Sequence, residues 1–354
     1  NYSARGAHYY DPNIRSPYIM NWSAGFQWQL TGNWLAELMY QGTAGVKLLN
    51  NWNINTIPLN ISADPAVLNQ IYQATQNYLP YTQFGSVNLY SNFGHNSYHA
   101  GTLRVEKRYS TGVTLLGFYT FSKALDESDG EGGATGVTYY NRRLEKGRAG
   151  YDRRHRVTGL LTYELPVGKN RRFLNRAGLL NHVLGGWEIG WNQTFQSGPP
   201  ASVTFAGSPY RYLPQGVYRP NALVPMEQAV VQNWSIGPNR FPSSAQNPYL
   251  NFSAFAYPAA FTLGTLGRNT FEGAGVAFTQ IALSKQWTIH ERVVFSLRGE
   301  ANNLPIKHPQ FNPPISVYNA NSPSTFGRYT GVFGGATNFG ASQPNYWFIV
   351  RAEF

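Results

Sequence analysis

Cysteine is absent from the 354 residues, which removes disulfide frameworks, Cys-ligated zinc and thiol nucleophiles at once. Charge is scarce as well. Asp, Glu, Lys and Arg make up 13% of the chain, about half the share usual in soluble proteins. Long hydrophobic runs are also lacking, and none approaches the roughly 18 residues that a membrane helix needs. Mean hydropathy is −0.36. That average leaves a membrane β-barrel open, because barrel strands alternate apolar lipid-facing residues with polar ones. Aromatics, in contrast, are plentiful: Tyr 24, Phe 21 and Trp 9, beside Gly 36 and Pro 22. Few charges with so many aromatics exclude a solvated disordered chain and a coiled coil. Length alone would suggest about two or three soluble domains. With no linker and no shift of composition, one all-β unit over residues 1–354 fits better.

The net charge of +11 is concentrated. Arg142, Arg143, Lys146, Arg148, Arg153, Arg154 and Arg156 form one basic stretch, and Lys169, Arg171, Arg172 and Arg176 another. Both fall where strands stop rather than on a helix or among stacking aromatics, so nucleic acid is not expected as a partner. Solvated loops or lipid headgroups suit them better. The chain opens Asn1-Tyr2-Ser3-Ala4-Arg5 without an apolar stretch, so no secretion signal is expected within it.

Period-two alternation dominates the sequence. Met20, Trp22, Ala24, Phe26, Trp28 and Leu30 alternate with Asn21, Ser23, Gly25, Gln27 and Gln29. That run has the length of a tilted membrane-spanning strand, about 9–11 residues. After the turn Thr31-Gly32-Asn33, Trp34, Ala36, Leu38 and Tyr40 return opposite Glu37 and Gln41. The pattern recurs from Thr102 to Lys107, Val113 to Ser122, Arg156 to Leu165, Trp187 to Gln196, Gln280 to Ser284, Val293 to Ala301 and Tyr346 to Phe354. Counted this way, about nine strands are predicted, pairing as antiparallel hairpins.

The connections alternate too. Short ones at 31–33, 109–112 and 288–291 are interleaved with long ones at 43–96, 124–154, 198–276 and 303–344, and 166–186 is intermediate. Short turns at one end and long loops at the other are the topology of a transmembrane barrel. Soluble sandwiches and propellers also use alternating strands, but these are long for a sandwich and lack a repeat of about 40 residues. Aromatics gather near strand ends, and Trp22, Trp28, Trp34, Tyr40, Trp187, Trp191 and Trp287 are the expected membrane-interface girdles.

Catalytic motifs are missing: there is no HExxH, Walker loop, GxSxG or suitably placed GxGxxG. The seven histidines lack ligand spacing, and His155 sits among arginines. No enzyme activity and no cofactor are expected. One acidic cluster, Asp126 to Glu131, offers Asp126, Asp129 and Glu131 as a weak Ca²⁺ candidate, although its spacing misses the EF-hand pattern. A solvated loop tip is the plainer reading. Arg153, Arg154 and Arg156 form a basic strand-end cluster suited to anchoring at headgroups or to lining a lumen. The Tyr- and Pro-rich stretches 198–220 and 241–262 suit either solute contact from outside or packing within the barrel mouth.

Four stretches carry a family likeness. They are Asp11-Pro12-Asn13-Ile14-Arg15-Ser16-Pro17-Tyr18 with Trp22, Gly25 and Gln27; Glu106 to Gly112 through Tyr119 to Lys123; Tyr151 to Arg156 with Leu165 to Lys169; and Gly267-Arg268-Asn269 with Glu300 to Leu304 and His308 to Phe311. In this order they resemble the C-terminal barrel of TonB-dependent outer-membrane transporters, specifically the Oar-like group with a carboxypeptidase-regulatory-like domain. Asn302 and Lys307 depart from that group's pattern. The resemblance implies a bacterial outer-membrane location and energised solute uptake. It also implies a C-terminal assembly signal at Tyr346, Phe348, Val350, Ala352 and Phe354. Plug domain, TonB box, signal peptide and first barrel strands would lie outside these residues. The wall would then be the C-terminal portion of a barrel of roughly 22 strands. Implied partners are outer-membrane lipid and lipopolysaccharide, the remaining barrel and plug, the TonB complex acting through them, and the barrel-assembly machinery. A passive porin, or a structural or adhesive surface protein, would use the same strands.

Overall fold

The computed structural model describes residues 5–59, 61–128, 136–175, 178–209, 211, 213, 216–234, 247–289, 293–305, 311–331 and 344–353. Nine long strands form one sheet: β1 (Tyr18–Thr31), β2 (Trp34–Asn53), β3 (Phe84–Ser110), β4 (Val113–Asp126), β5 (His155–Glu164), β6 (Trp187–Gln196), β7 (Val276–Ile289), β8 (Val293–Pro305) and β9 (Asn345–Glu353). Each pairs antiparallel with the next, in chain order. Among the described residues the sheet does not close, because β1 and β9 are its two ends.

Register turns the alternation into two faces. Phe26 lies opposite Leu38, Leu38 opposite Leu103, and Leu103 opposite Tyr119. Further along, Leu161 faces Trp191, Trp191 faces Ile281, and Leu297 faces Val350. One face is therefore a continuous apolar belt, with Phe26, Leu38, Leu103, Trp191, Ile281, Leu283 and Val350 exposed along it. An exposed apolar belt of this extent is unstable in water and stable in lipid. The other face carries Glu37 opposite Arg104, Thr102 opposite Thr120 and Glu300 opposite Trp347.

Two strands run much further than the alternation predicts. β2 has 20 residues and β3 has 27, so at about 3.3 Å per residue β3 is about 90 Å long. The expected connection 43–96 shrinks to 54–83, because Asn50, Asn51, Trp52 and Asn53 still pair with Ser91, Tyr90, Leu89 and Asn88. Here asparagines are mixed with Leu48, Leu49 and Trp52 and the period-two signal fades, yet the ladder continues. It does so past two register shifts between Gly45 and Asn50, where Lys47 has φ 58°. Arg5–Tyr10 adds a parallel strand alongside Phe84 to Tyr90.

The long connections are folded. Residues from 203 to 326 share a core of Val203, Ala229, Leu250, Phe255, Leu266, Phe271, Tyr318 and Phe326. A second small core joins Ile57, Leu68, Ile71, Leu79 and Leu213. At the opposite end, 166–186 contains a short helix, α1 (Leu179–Leu184), that the alternation does not reveal. Among the described residues no helix is long and apolar enough to cross a membrane.

Candidate functional site

The polar face of the wall is laced with charge. The Arg104 guanidinium reaches Glu37 at 3.1 Å and Glu106 at 2.6 Å, with Arg108 3.7 Å from Glu106. Arg351 meets Glu353 at 2.7 Å, and Arg298 pairs with Glu300. These pairs set acid against base along the ladder, and the face is polar, as the interior of a transmembrane barrel is.

At the long-loop end, the loops close down on that same face. Ser122, Ala124 and Asp126 share the polar row of β4 and are buried. Asp152 accepts the Ala124 amide at 3.0 Å, and Ser122 donates to the Arg153 carbonyl at 2.9 Å. Three arginines fasten the layer. Arg219 donates to both Glu145 oxygens at 2.8 and 3.0 Å and to the Leu144 carbonyl at 3.0 Å. Arg148 bridges Asp152 at 2.7 Å and Glu272 at 3.0 Å. Arg268 pairs with Asp126 and donates to the carbonyls of Glu145 and Asp126 at 2.8 Å each. Arg219 and Asp126 are 6% exposed, Glu145 and Asp152 2%.

Aromatics fill the space above. Phe252 stacks on Tyr318 at 4.4 Å, and Trp234 and Phe311 pack on Tyr329 at 5.0 and 5.1 Å. The Ala274 amide donates to the Tyr329 hydroxyl at 2.7 Å, and Tyr249 donates to the Glu272 carbonyl at 2.7 Å. Burial, helped by the Glu272 charge, pushes the Tyr249 phenol up to about 12, and burial also raises that of Tyr329. Burial lowers the pKa of Arg153, and the Asp152 carboxylate opposes that shift.

The expected site residues fall into three groups. Trp22, Tyr40 and His99 cluster on the apolar face near its long-loop end, with the Trp22 indole 3.4 Å and His99 2.8 Å from the Tyr40 hydroxyl. Trp28 and Trp34 flank the Gly32-Asn33 turn on the same face, and Trp191 lies mid-wall. Trp187 and Trp287 instead grip α1, donating to the Val183 and His182 carbonyls at 2.9 Å each. Of the acidic trio, Asp126 is bound to Arg268, and Asp129 and Glu131 lie outside the described residues. No group of three or more His, Cys, Asp or Glu side chains able to hold a metal ion occurs among the described residues. Arg153 binds the Gly150 and Asp152 carbonyls, and Arg156 is exposed on the polar row of β5. Tyr346, Phe348, Val350 and Ala352 share the apolar face of β9, while Phe354 lies outside the described residues. Sequence reasoning missed Arg219 and Glu145, which are 74 positions apart and carry no local signature.

A family model described as "Outer membrane beta barrel domain" matches residues 2–339. The chain belongs to that family. This outer-membrane β-barrel protein is therefore a resident of the bacterial outer membrane. The outer membrane transporter YddB from Escherichia coli aligns with 96% of the chain at 9% identity and a TM-score of 0.46. The FrpB iron transporter from Neisseria meningitidis (F3-3 variant) aligns with 98% at 11% identity and a TM-score of 0.40. The chain spans 33% of the length of each. No curated protein matches the sequence. In outer-membrane barrels the short turns face the periplasm and the long loops the exterior. On that rule α1 is periplasmic and the arginine-fastened layer extracellular.

Proposed function

We propose that this chain forms part of the wall and outer loops of a TonB-dependent transporter that takes up a solute at the expense of energy. The observation that carries the reading is the packed loop layer, which lies against the polar face at the outer end of the wall and is tied there by buried ion pairs. A passive porin works through a standing aqueous opening, whereas a gated importer keeps its mouth occupied until it is driven. The open sheet supports the same reading. Every residue of β1 is exposed, and both edge strands have one row of backbone groups unpaired within the sheet. Lipid does not tolerate such edges, so further strands of the same wall pair with β1 and β9, giving roughly 22 in all. The plug and TonB box belong to other segments of that assembly.

Two measurements test this. In planar bilayers the complete protein is expected to show no steady conductance; a standing open channel would establish the porin reading instead. In cells, accumulation of the transported solute is expected to stop when TonB is deleted, and unchanged accumulation would reject energised uptake.

A further inference from the structure

The periplasmic connection between β5 and β6 is built unlike a turn. After Gly178, with φ 118°, α1 runs for one and a half turns, and the chain leaves it through Gly185 and Gly186. Gly168 and Gly185 let the two arms of the loop touch, since a Cβ on Gly168 would lie 2.9 Å from the Gly185 Cα. The carbonyl end of α1 rests on Lys285, whose ammonium donates to the carbonyls of His182, Val183 and Gly185. Lys285 belongs to the outward apolar row, between Leu283 and Trp287 and opposite Trp187 and Leu297. A lysine there is costly if it faces lipid. It is 3% exposed because the helix end covers it. The helix is thereby fastened to the lipid-facing side of the wall, at the periplasmic rim.

What α1 presents outward is greasy. Leu179 is 85% exposed, Leu180 65%, Val183 62% and Leu184 49%. The arm before it presents Lys169, Arg172 and Phe173, all exposed, with the Arg172 guanidinium 5.4 Å from the Phe173 ring centre. Between the arm and the strand ends lies a cleft of about 570 Å³, lined by Lys169, Arg171, His182, Lys285, Trp287 and Phe295 among others. Apolar side chains beside cations, at the level where Trp indoles sit, match a leaflet boundary, with acyl chains on one side and phosphates on the other.

We propose that this connection is a phospholipid-binding foot. The four apolar residues of α1 enter the periplasmic leaflet, and the cleft holds the phosphate of an anionic glycerophospholipid beside Lys169. The inference rests on the barrel's place in the outer membrane and not on the transport reading, so either can fail alone.

The native chain has no cysteine, so Leu179→Cys and, separately, Val183→Cys each give a single site for an environment-sensitive dye. The protein is reconstituted in phosphatidylethanolamine vesicles containing phosphatidylglycerol. Both dyes are expected to emit blue-shifted light, to be quenched by lipids brominated on their acyl chains, and to be spared by aqueous iodide. A dye on Asn13→Cys, exposed at the opposite end, should show the reverse. Quenching of the α1 dyes by iodide and not by bromine would overturn the inserted helix. For the headgroup, phosphatidylglycerol retained by the protein is counted by native mass spectrometry. Lys169→Ala with Arg172→Ala should lose that retention, and inorganic phosphate should not displace the lipid. Retention unchanged in the double variant, or lipid displaced by phosphate alone, would overturn the headgroup site.

Discussion

Replacing Arg219 by methionine should loosen the extracellular loop layer while leaving the barrel wall intact. The arginine contributes three charge-assisted hydrogen bonds, two to Glu145 and one to the Leu144 carbonyl. Glu145 also accepts the Val137 amide at 2.7 Å, so its carboxylate joins three segments of loop. With both partners nearly out of water, removing the cation leaves a buried anion with one remaining amide donor. Breaking a buried pair in this way costs about 3–5 kcal/mol. At about 1.4 kcal/mol per factor of ten, opening of the layer should rise by roughly two to four powers of ten. Limited proteolysis of intact cells reads this directly, since cleavage in the loops follows the population of the open form. Arg219→Met should be cut far faster than wild type at 127–154 and 197–275, and heat-modified gel mobility of the barrel should not change. The double variant Arg219→Met with Glu145→Leu should recover most of the resistance, because no charge is left stranded. If Arg219→Met is as resistant as wild type, or if the double variant is worse than the single, the pair is not what fastens the layer.

Asn55 is the second fastening point: it donates to the Tyr81 and Phe84 carbonyls at 3.1 and 2.9 Å and accepts the Tyr81 amide at 2.9 Å. Asn55→Ala should cost about 2–3 kcal/mol through stranded backbone groups, seen as faster amide exchange across 54–83. Gly42 faces Trp22 across the β1–β2 ladder, and a Cβ there would collide with the indole. Gly42→Val should therefore expel Trp22 from its place beside Tyr40 and red-shift the tryptophan emission, while Gly101→Ala, with open space around it, should leave emission unchanged. Alkali should loosen the loop layer by a route of its own. The phenols of Tyr249 and Tyr329 are raised in the folded state, so their contribution is complete below the ordinary tyrosine value of about 10 and is lost as pH rises beyond it. Loop proteolysis should accelerate from about pH 10 towards 12, and Tyr329→Phe should flatten that rise.

The wall was legible because lipid imposes a rule on every second residue. Met20 to Leu30 or Tyr346 to Ala352 can be placed on a face by counting, and their observed register follows that count. The rule lapses where lipid ends. Asn50, Asn51, Asn53 and Asn88 still build a ladder between β2 and β3, but water and loops surround it, so no alternation marks it. α1 escaped for a different reason. Six residues are too few to show a helical period, and only the glycines at 178, 185 and 186 hint at its limits. The loop layer escaped because its partners are remote in sequence, with Arg268 and Asp126 142 positions apart.

The scarcity of charge now divides by location. Arg148, Arg219 and Arg268 sit in a water-poor layer, each committed to a carboxylate. Such pairs add little net stability over apolar packing, but breaking one is severe. That asymmetry suits a layer that must hold one arrangement, as the proposed importer requires of its outer loops. Lys169 and Arg172, at the periplasmic end, are exposed instead. Their charge is directed outward, beside the leucines of α1, and suits the phosphate plane of a membrane. The same residue types thus lock one end of the wall and seat the other. Neutralising Arg219 should therefore alter access to the lumen without changing lipid retention, and neutralising Lys169 should do the opposite.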